Sequence, residues 1–313
     1  MTMHIAYTFD RHYQQHFGAS VTSLLVNAGS HRQQLSIHVV TEVATADFED
    51  KLQQLRQQFQ VAIHVYAPTE EQRQQLAQLP LRDFYTHETY LNMLLAQILP
   101  DEVERVLYLD ADTIVLNDIS ELFAQDTQGK TIAAARDSSQ TTMIAHWAPV
   151  KAIPLYFNSG VMLINLQQWR EREYTKRCIE FSIKHFDRLL FLDQCAMNLV
   201  LAGDVHCLPP EWNFFVSPLF PMKYAIEPKI LHYIGASKPW QSWYDEPRGA
   251  FYWDYIALSP WSDSQPDAPQ NIGQAKSLAQ LYVQQGKMTE AVATYELLVR
   301  SLEEHLQAKQ VPT

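Results

Sequence analysis

The chain has 313 residues and a mass of 36.2 kDa, which is enough for one large domain or two smaller ones. Hydrophobic residues make up 47% and charged residues 19%, a composition that excludes a disordered chain. The 24 Lys and Arg residues stand against 35 Asp and Glu residues, and the resulting net charge of −11 argues against nucleic acid or an anionic membrane as the main partner.

The first hundred residues alternate between predicted strands and predicted helices. Short runs of β-branched and aromatic residues predict strands over 4–9, 35–40 and 61–66. Apolar residues at helical spacing predict one helix that ends at Gly29 and another over 48–59. This order predicts βαβ units and therefore an α/β fold with a mostly parallel sheet between helices. Ligands of such sheets bind at the carboxyl ends of the strands.

The rest of the chain continues this pattern and then changes. Strands are predicted at 105–109, 132–135, 160–164 and 230–232, and the stretch 113–130 is predicted to be helical. Three prolines and three serines in 259–270 predict a linker. Two apolar stripes around Gly286 predict an α-hairpin over 271–308. The predicted organisation is an α/β domain over 1–258, a linker over 259–270 and a helical hairpin over 271–308.

The compartment is predicted from the cysteines and from the N-terminus. Cys178, Cys195 and Cys207 form no C-x-x-C pair, and such a sparse, odd set is typical of a reducing compartment. The N-terminus has no basic stretch followed by an apolar one, and no apolar run reaches the length of a membrane span. We expect a cytoplasmic protein, with peripheral binding at the inner membrane face as the alternative.

The glycines exclude several nucleotide-binding and catalytic motifs. The chain has 9 glycines and no two of them lie within five residues of each other. The sequences G-x-G-x-x-G, the P-loop and G-x-S-x-G are therefore absent. A nucleotide would have to bind here without a glycine-rich phosphate loop.

The strongest candidate for a metal site follows the predicted strand 105–109. Asp110 and Asp112 come directly after it, where two carboxylates can reach one Mg²⁺ or Mn²⁺ ion. His232 becomes a third ligand only if its strand lies beside them, and otherwise a histidine between Leu231 and Tyr233 is a core residue.

Three other polar residues have both a functional and a purely structural interpretation. Lys238 lies on a loop with Gly235 and Pro239, where it can meet a diphosphate or remain a solvated charge. Asp193 precedes a predicted helix and can be its N-cap, and Asn158 precedes a strand and can be a turn residue.

Five segments, taken in order, resemble one known family. They are TFDRHY (8–13), VLYLDADTIVL (106–116), YFNSGVMLINLQQW (156–169), LDQ (192–194) and HYIGASKPW (232–240). This set resembles family 8 of the glycosyltransferases, retaining enzymes that include bacterial lipopolysaccharide galactosyl- and glucosyltransferases and glycogenin. The resemblance covers roughly residues 4 to 255.

The resemblance implies a GT-A fold, a UDP-sugar donor and Mn²⁺, with Mg²⁺ as the alternative metal. It implies metal ligation by Asp110, Asp112 and His232. It implies contacts with the donor from Thr8, Asp10, Tyr13, Asn92, Asp110, Ala111, Asn158, Gly235 and Lys238. It implies catalytic roles for Asp193, Gln194 and Lys238.

The implied reaction is transfer of glucose or galactose from a UDP-sugar to a hydroxyl acceptor with retention, in lipopolysaccharide or another cell-surface glycan. The family has a glutamine at the position of Gln194, which implies front-face attack without a covalent intermediate. The acceptor is expected to contact 138–154 and 212–228. The hairpin 271–308 resembles one tetratricopeptide unit, which implies that it packs on the catalytic domain, self-associates or binds a protein partner.

The sequence departs from the family pattern at three positions. Members of this kind usually carry Y-x-R before the D-x-D strand, and here the segment is Tyr90-Leu91-Asn92. The usual D-Q-D ends in Cys195, and His12 replaces a polar residue of the nucleotide pocket. The lost arginine removes a charge expected near the diphosphate and the sugar.

Two alternatives from other classes of protein remain open at this point. A non-catalytic adaptor would keep the sugar-nucleotide fold and recruit partners through the hairpin. A metal-dependent nucleotidyltransferase would share the sheet and the carboxylate pair, but the segment DRHYQQHFG after Phe9 lacks a basic or glycine-rich phosphate loop.

Overall fold

A computed structural model describes residues 2–82, 86–217 and 226–310, with side chains described as far as residue 300. Its strands are β1 (Met3–Thr8), β2 (Leu35–Val40), β3 (Ala62–Tyr66), β4 (Arg105–Leu109), β5 (Thr113–Val115), β6 (Ile132–Arg136), β7 (Phe157–Asn165), β8 (Val205–Leu208), β9 (Phe214–Val216) and β10 (Ile230–Tyr233).

The α-helices flank these strands and follow them along the chain. They are α1 (Gln14–Asn27), α2 (Ala46–Phe59), α3 (Glu70–Ala77), α4 (Leu95–Ile98), α5 (Ser120–Phe123), α6 (Gln140–Trp147), α7 (Leu166–Glu171), α8 (Tyr174–Lys184), α9 (Leu192–Val200), α10 (Gly249–Ala257), α11 (Ile272–Gln284) and α12 (Met288–Gln310). Short 3₁₀ helices lie at Arg11–Tyr13, Gly29–Gln34, His87–Leu94, Phe186–Arg188 and Pro210–Asn213. In the described part of the chain, no helix has both the length and the apolar character that crossing a membrane requires.

The main sheet has seven strands in the order β3-β2-β1-β4-β7-β6-β8. Strands β3, β2, β1 and β4 are parallel neighbours, and β6 is parallel to β8. Strand β7 is antiparallel to both β4 and β6. The predicted mixed, mostly parallel sheet flanked by helices is therefore confirmed. Every residue of β2 is buried, as expected of a strand that helices cover on both faces.

The predicted helix over 113–130 is wrong. Thr113–Val115 is strand β5, and only Ser120–Phe123 within that stretch is α-helical. The three residues of β5 are β-branched and buried, and they pair antiparallel with β10 in a second sheet of order β5-β10-β9. This pairing matters for the site because it puts His232 directly opposite Thr113.

Strand β7 is longer than its apolar run of 160–164 predicts. It begins at Phe157, so Asn158 and Ser159 lie inside the strand and not in a turn before it. Both are buried, next to the equally buried Gly160. The chain thus carries polar side chains into the centre of the sheet, where each needs a hydrogen-bond partner.

The chain divides into two compact units. The first comprises Met1–Phe215, Tyr224–His232 and Tyr255–Ser262, and it contains the main sheet. Within it, the buried Trp261 packs against Phe17 and Phe48. A Cβ on Gly18 would lie 2.4 Å from the Trp261 ring, so only glycine allows this close approach.

The second unit comprises Val216–Lys223, Tyr233–Asp254 and Asp263–Thr313. Helices α11 and α12 form a hairpin there, with Gly286 at a φ of +73° in the turn between them. Ala279 and Ala291 are buried, while Met288, Val292 and Val299 are exposed. Two expectations remain predictions: that 259–270 is a linker, and that the hairpin 271–308 binds a partner.

Candidate active site

Two carboxylates and one imidazole meet at the carboxyl end of β4. The distance from His232 Nε2 to Asp112 Oδ1 is 3.3 Å, and that from His232 Nε2 to Asp110 Oδ2 is 3.6 Å. One ligand atom from each of the three residues lies within 4.8 Å of the others. The pairing of β10 with β5 thus brings the distant histidine to the D-x-D pair, which is the condition that the sequence left open.

Gly160 of β7 lies beside Asp110 and His232. Its carbonyl accepts a 2.8 Å hydrogen bond from the backbone N–H of Asp110. A Cβ at this position would lie 2.2 Å from Cε1 of His232 and 2.6 Å from Oδ2 of Asp110. No side chain fits there without moving one of the two, so this glycine is what lets the carboxylate and the imidazole approach each other.

The donor atoms fit a divalent metal ion. His232 is buried, and its Nδ1 is 2.9 Å from Oδ1 of Asn213, so its other ring nitrogen, Nε2, faces the two carboxylates. Two carboxylates with one imidazole form a donor set that divalent metal ions accept.

A hydroxyl on β4 holds Asp110, and a second hydroxyl at the end of β1 contacts the first. The Tyr108 hydroxyl donates to Oδ1 of Asp110 over 2.6 Å, and Thr8 Oγ1 lies 3.1 Å from the same hydroxyl. Burial raises the pKa of Tyr108 well above its usual value, and the Asp110 charge raises it further. The phenol therefore stays protonated and keeps donating to the carboxylate.

Asp193 lies in the first turn of α9, but it is not the cap of that helix. The helix begins at Leu192, and the Asp193 carboxylate accepts from Asn92 Nδ2 at 2.7 Å and from Ser159 Oγ at 3.3 Å. Burial, opposed by these hydrogen bonds and reinforced by the Asp110 charge, raises the pKa of Asp193 to about 7. The buried Oδ1 of Asn92 has no hydrogen-bond partner among the described residues.

Gln194, Asn158 and Asp137 form an amide and carboxylate cluster next to Asp193. Gln194 Nε2 and Asn158 Nδ2 each donate to Oδ2 of Asp137 over 3.1 Å. Gln194 Oε1 accepts from the Ser159 backbone N–H at 3.0 Å and from Asn158 Nδ2 at 3.2 Å. Both ends of the Gln194 amide are therefore held in place.

The site collects negative charge. Asp110, Asp112 and Asp137 lie in it, together with Asp193, whose raised pKa leaves it partly protonated near pH 7. The described partners of Asp137 and Asp193 are neutral amides, hydroxyls and backbone N–H groups. An anionic diphosphate would be repelled by such a cluster unless a cation entered with it. The charge of the site and the geometry of its ligand atoms therefore both favour a bound cation.

The residues expected near the nucleotide lie at the end of β1. Asp10 caps the 3₁₀ turn that follows, because its Oδ1 accepts from the backbone N–H groups of His12 at 2.8 Å and Tyr13 at 3.2 Å. The Tyr13 ring packs edge-on against His16. Ala111, also expected to contact the donor, instead follows β4, where it is buried between Asp110 and Asp112 in the sequence.

Gly235 and Lys238 belong to the second unit. Gly235 has a φ of +80°, a conformation that favours glycine. Lys238 Nζ donates to the Tyr233 carbonyl over 2.5 Å and lies 5.8 Å from the centre of the Trp240 ring. The loop is thus folded onto itself around the lysine.

Several residues of the site were not candidates from the sequence. Three of them, Tyr108, Ser159 and Gly160, lie inside the segments that carry the family resemblance. The sequence thus placed them near the site but did not predict what they contact there. Asn213 had no local signal, since its function depends on contacts with β7 and β10. Of the expected acceptor region 212–228, residues 218–225 lie outside the described residues.

Comparison with known proteins decides the family. The profile of glycosyl transferase family 8 matches residues 4–244. The chain belongs to this family. It is 27% identical over 299 residues to the lipopolysaccharide 1,2-glucosyltransferase of Escherichia coli strain K12, covering 90% of this chain and 86% of that protein. It is 28% identical to the lipopolysaccharide 1,3-galactosyltransferase of Salmonella typhimurium, covering 82% and 79%.

The fold is likewise that of a solved glycosyltransferase structure. The crystal structure of the galactosyltransferase LgtC with donor and acceptor sugar analogues matches with a TM-score of 0.72 at 20% identity, over 82% of this chain and 96% of that one. The predicted GT-A fold and the family are therefore confirmed, and the chain is a glycosyltransferase.

Proposed function

We propose that this family 8 member is a metal-dependent retaining transferase. It moves glucose or galactose from a UDP-sugar to a hydroxyl of lipopolysaccharide or another cell-surface glycan. The observation that carries the proposal is the approach of Asp110, Asp112 and His232 to within 4.8 Å, next to the buried cluster of Asp193 and Gln194. The named relatives from Escherichia coli and Salmonella typhimurium support the hexose and the glycan.

Asp110, Asp112 and His232 would hold the metal, and Mn²⁺ is the ion that this donor set favours. A divalent ion bound there acts as a Lewis acid toward the diphosphate leaving group and offsets the carboxylate charge. The Tyr108 hydroxyl keeps Asp110 in place, and Gly160 keeps the approach to His232 open.

Asn92 and Asp193 suit recognition of a sugar. The Asp193 carboxylate and the unpartnered Oδ1 of Asn92 are both hydrogen-bond acceptors, so adjacent sugar hydroxyls can donate to both. Leaving such buried acceptors unpaired is unfavourable, and a bound hexose removes that cost. Asn92 therefore replaces the charge of the usual arginine with a neutral hydrogen-bonding group.

Gln194 suits electrostatic positioning better than nucleophilic attack. Its carbonyl oxygen already accepts hydrogen bonds from Asn158 and Ser159, and its amide nitrogen donates to Asp137. A group held on both sides cannot reorganise cheaply to form a covalent bond, which favours front-face attack by the acceptor. Lys238, on the loop of the second unit, would contribute positive charge toward the diphosphate.

A lipid-linked glycan acceptor would bring the enzyme to the cytoplasmic face of the inner membrane. In this proposal the protein binds there only peripherally, through its acceptor. The net charge of −11 opposes direct adsorption to anionic lipids.

The test is thermal unfolding with UDP, UDP-glucose and UDP-galactose, each with and without Mn²⁺. A ligand at 100 times its dissociation constant adds about 2.7 kcal/mol to the free energy of unfolding, which is an easily measured shift. We expect a shift that requires Mn²⁺ and that Asp112→Ala abolishes, with at least a ~100-fold loss of turnover in the same variant. UDP release from the preferred donor, with an α-linked product from an α-linked donor, would establish transfer with retention.

Two outcomes would contradict the proposal. No shift with any donor would favour the adaptor, whose role would then depend on the hairpin of α11 and α12. Release of pyrophosphate in place of UDP would favour a nucleotidyltransferase.

A further inference from the structure

A chain of buried side-chain hydrogen bonds runs from the metal site to Gln194. His232 Nδ1 lies 2.9 Å from Asn213 Oδ1, and Asn213 Nδ2 donates to Asn158 Oδ1 over 2.9 Å. Asn158 Nδ2 then donates to Gln194 Oε1 at 3.2 Å and to Asp137 Oδ2 at 3.1 Å. Asn213 itself is 1% exposed, so water does not replace its partners.

The orientation of the Asn158 amide is fixed at two independent points. Its Oδ1 accepts from the backbone N–H of Gly160 at 3.0 Å, and its Nδ2 donates to the carboxylate of Asp137. A backbone N–H can only donate and a carboxylate can only accept. Exchanging the oxygen and nitrogen of Asn158 would create two repulsive contacts, so the amide has one orientation.

This orientation propagates to His232. Because Asn158 turns its oxygen toward Asn213, Asn213 must present Nδ2 to it and Oδ1 to the imidazole. An amide oxygen only accepts, so the Nδ1 atom of His232 must carry a proton. In the neutral ring the lone pair then lies on Nε2, which faces Asp110 and Asp112 at 3.6 and 3.3 Å.

We propose that Asn213 is a positioning residue that fixes the tautomer and the ring orientation of the metal-ligating His232. The inference rests on the metal site of the proposed function. Since Asn158 also holds Gln194, the same amide chain joins the metal side of the site to the sugar side. Partners of this kind on a metal-bound histidine contribute 10- to 100-fold to metal affinity.

The first test reads the tautomer without metal or substrate. Long-range ¹H–¹⁵N spectra of ¹⁵N-histidine-labelled protein in EDTA show which ring nitrogen is protonated, and loss of a signal in His232→Gln assigns it. We expect a protonated Nδ1 on His232 in the wild-type protein. Asn213→Leu removes the acceptor at Nδ1 and keeps the carboxylates that face Nε2, so we expect the proton of the neutral ring to move to Nε2 in this variant. A wild-type protein with its only ring proton on Nε2 would overturn the inference even if Asn213→Leu failed to fold.

The second test measures Mn²⁺ affinity from the electron paramagnetic resonance signal of the free ion. We expect Asn213→Leu to bind Mn²⁺ about 10- to 100-fold more weakly. The matched control is Asn27→Leu, because Asn27 Nδ2 donates instead to the carbonyls of Ser23 and Val115 and to the Tyr255 hydroxyl. Equal affinity in wild type and Asn213→Leu would refute a role in metal binding.

The two tests separate this inference from the proposed function. A protonated Nδ1 in a wild-type protein that does not bind Mn²⁺ would refute the metal-dependent transferase and support the amide chain. Mn²⁺ binding by a wild-type protein whose only ring proton lies on Nε2 would support the metal-dependent transferase and refute the amide chain.

Discussion

Asn92 donates a 2.7 Å hydrogen bond from Nδ2 to Oδ2 of Asp193, and both side chains are buried. In the family pattern an arginine stands at the position of Asn92, and its charge would stabilise the ionised carboxylate. A neutral amide stabilises it less, and burial raises the pKa of Asp193 to about 7. Burial therefore makes the protonation of Asp193 sensitive to pH in the physiological range, and the hydrogen bond from Asn92 opposes this only in part.

The first prediction concerns stability in the metal-free protein. The pKa of Asp193 is raised on folding from 3.8 to about 7, so between these pH values the folded state keeps a proton that the unfolded state has lost. The free energy of unfolding must then fall as pH rises across this window, by at most about 1.4 kcal/mol per pH unit. Urea unfolding in EDTA at pH 4 to 8 should show this slope in the wild type relative to Asp193→Asn. Parallel curves for the two proteins would refute the raised pKa.

The second prediction concerns the pH dependence of activity. If ionised Asp193 orients the sugar, activity falls on the acid side as this carboxylate takes up a proton. Asn92→Leu removes a hydrogen bond to the ionised form and should move the acid limb of kcat/KM upward by about one pH unit. Asn92→Arg should move it downward, because a nearby cation favours the ionised form. Shifts in the same direction for both variants would exclude Asp193 as the titrating group.

The third prediction concerns Gly160. In Gly160→Ala the new methyl group would lie 2.2 Å from Cε1 of His232, so the imidazole or Asp110 must move. We expect at least a ~10-fold loss of Mn²⁺ affinity, measured by isothermal titration calorimetry. Gly273→Ala in α11 is the control, since the nearest atom to its new methyl group is Asn271 Oδ1 at 3.3 Å. Unchanged affinity in Gly160→Ala would show that the site does not use this close approach.

The fourth prediction concerns Trp261. Its ring packs against Phe17 and Phe48 and covers Gly18. Trp261→Ala should lower the free energy of unfolding by about 3 to 5 kcal/mol, because the cavity it leaves is lined by rigid aromatic groups. Chemical denaturation measures this loss. The exposed Leu258 provides the control, and Leu258→Ala should change stability by less than about 0.5 kcal/mol. A similarly small change in Trp261→Ala would show that residues 259–262 do not stabilise the first unit.

Local patterns were sufficient for the central strands. The runs HIAYTF, LSIHVV and RVLYL are rich in β-branched, aromatic and other apolar residues and are mostly buried, so composition alone located β1, β2 and β4. The position of Asp110 and Asp112 after β4 followed from the same patterns. The stretch 113–130 was misassigned because β5 has only three residues, too few for a periodic signal, and its partner β10 is more than a hundred residues away.

The site itself depends on contacts that no local pattern contains. His232 reaches Asp112 only because β10 pairs with β5, and Gly160 is required only because the imidazole and Asp110 come within a few ångströms of it. Which nitrogen of His232 is protonated follows from hydrogen bonds between three segments: β10, the 3₁₀ helix Pro210–Asn213 and β7. Sequence patterns were enough to locate the longer buried strands, such as β1, β2 and β4. Whether a buried polar group is paired, and with which atom, is decided only when distant segments pack, because a hydrogen bond depends on the position of both partners.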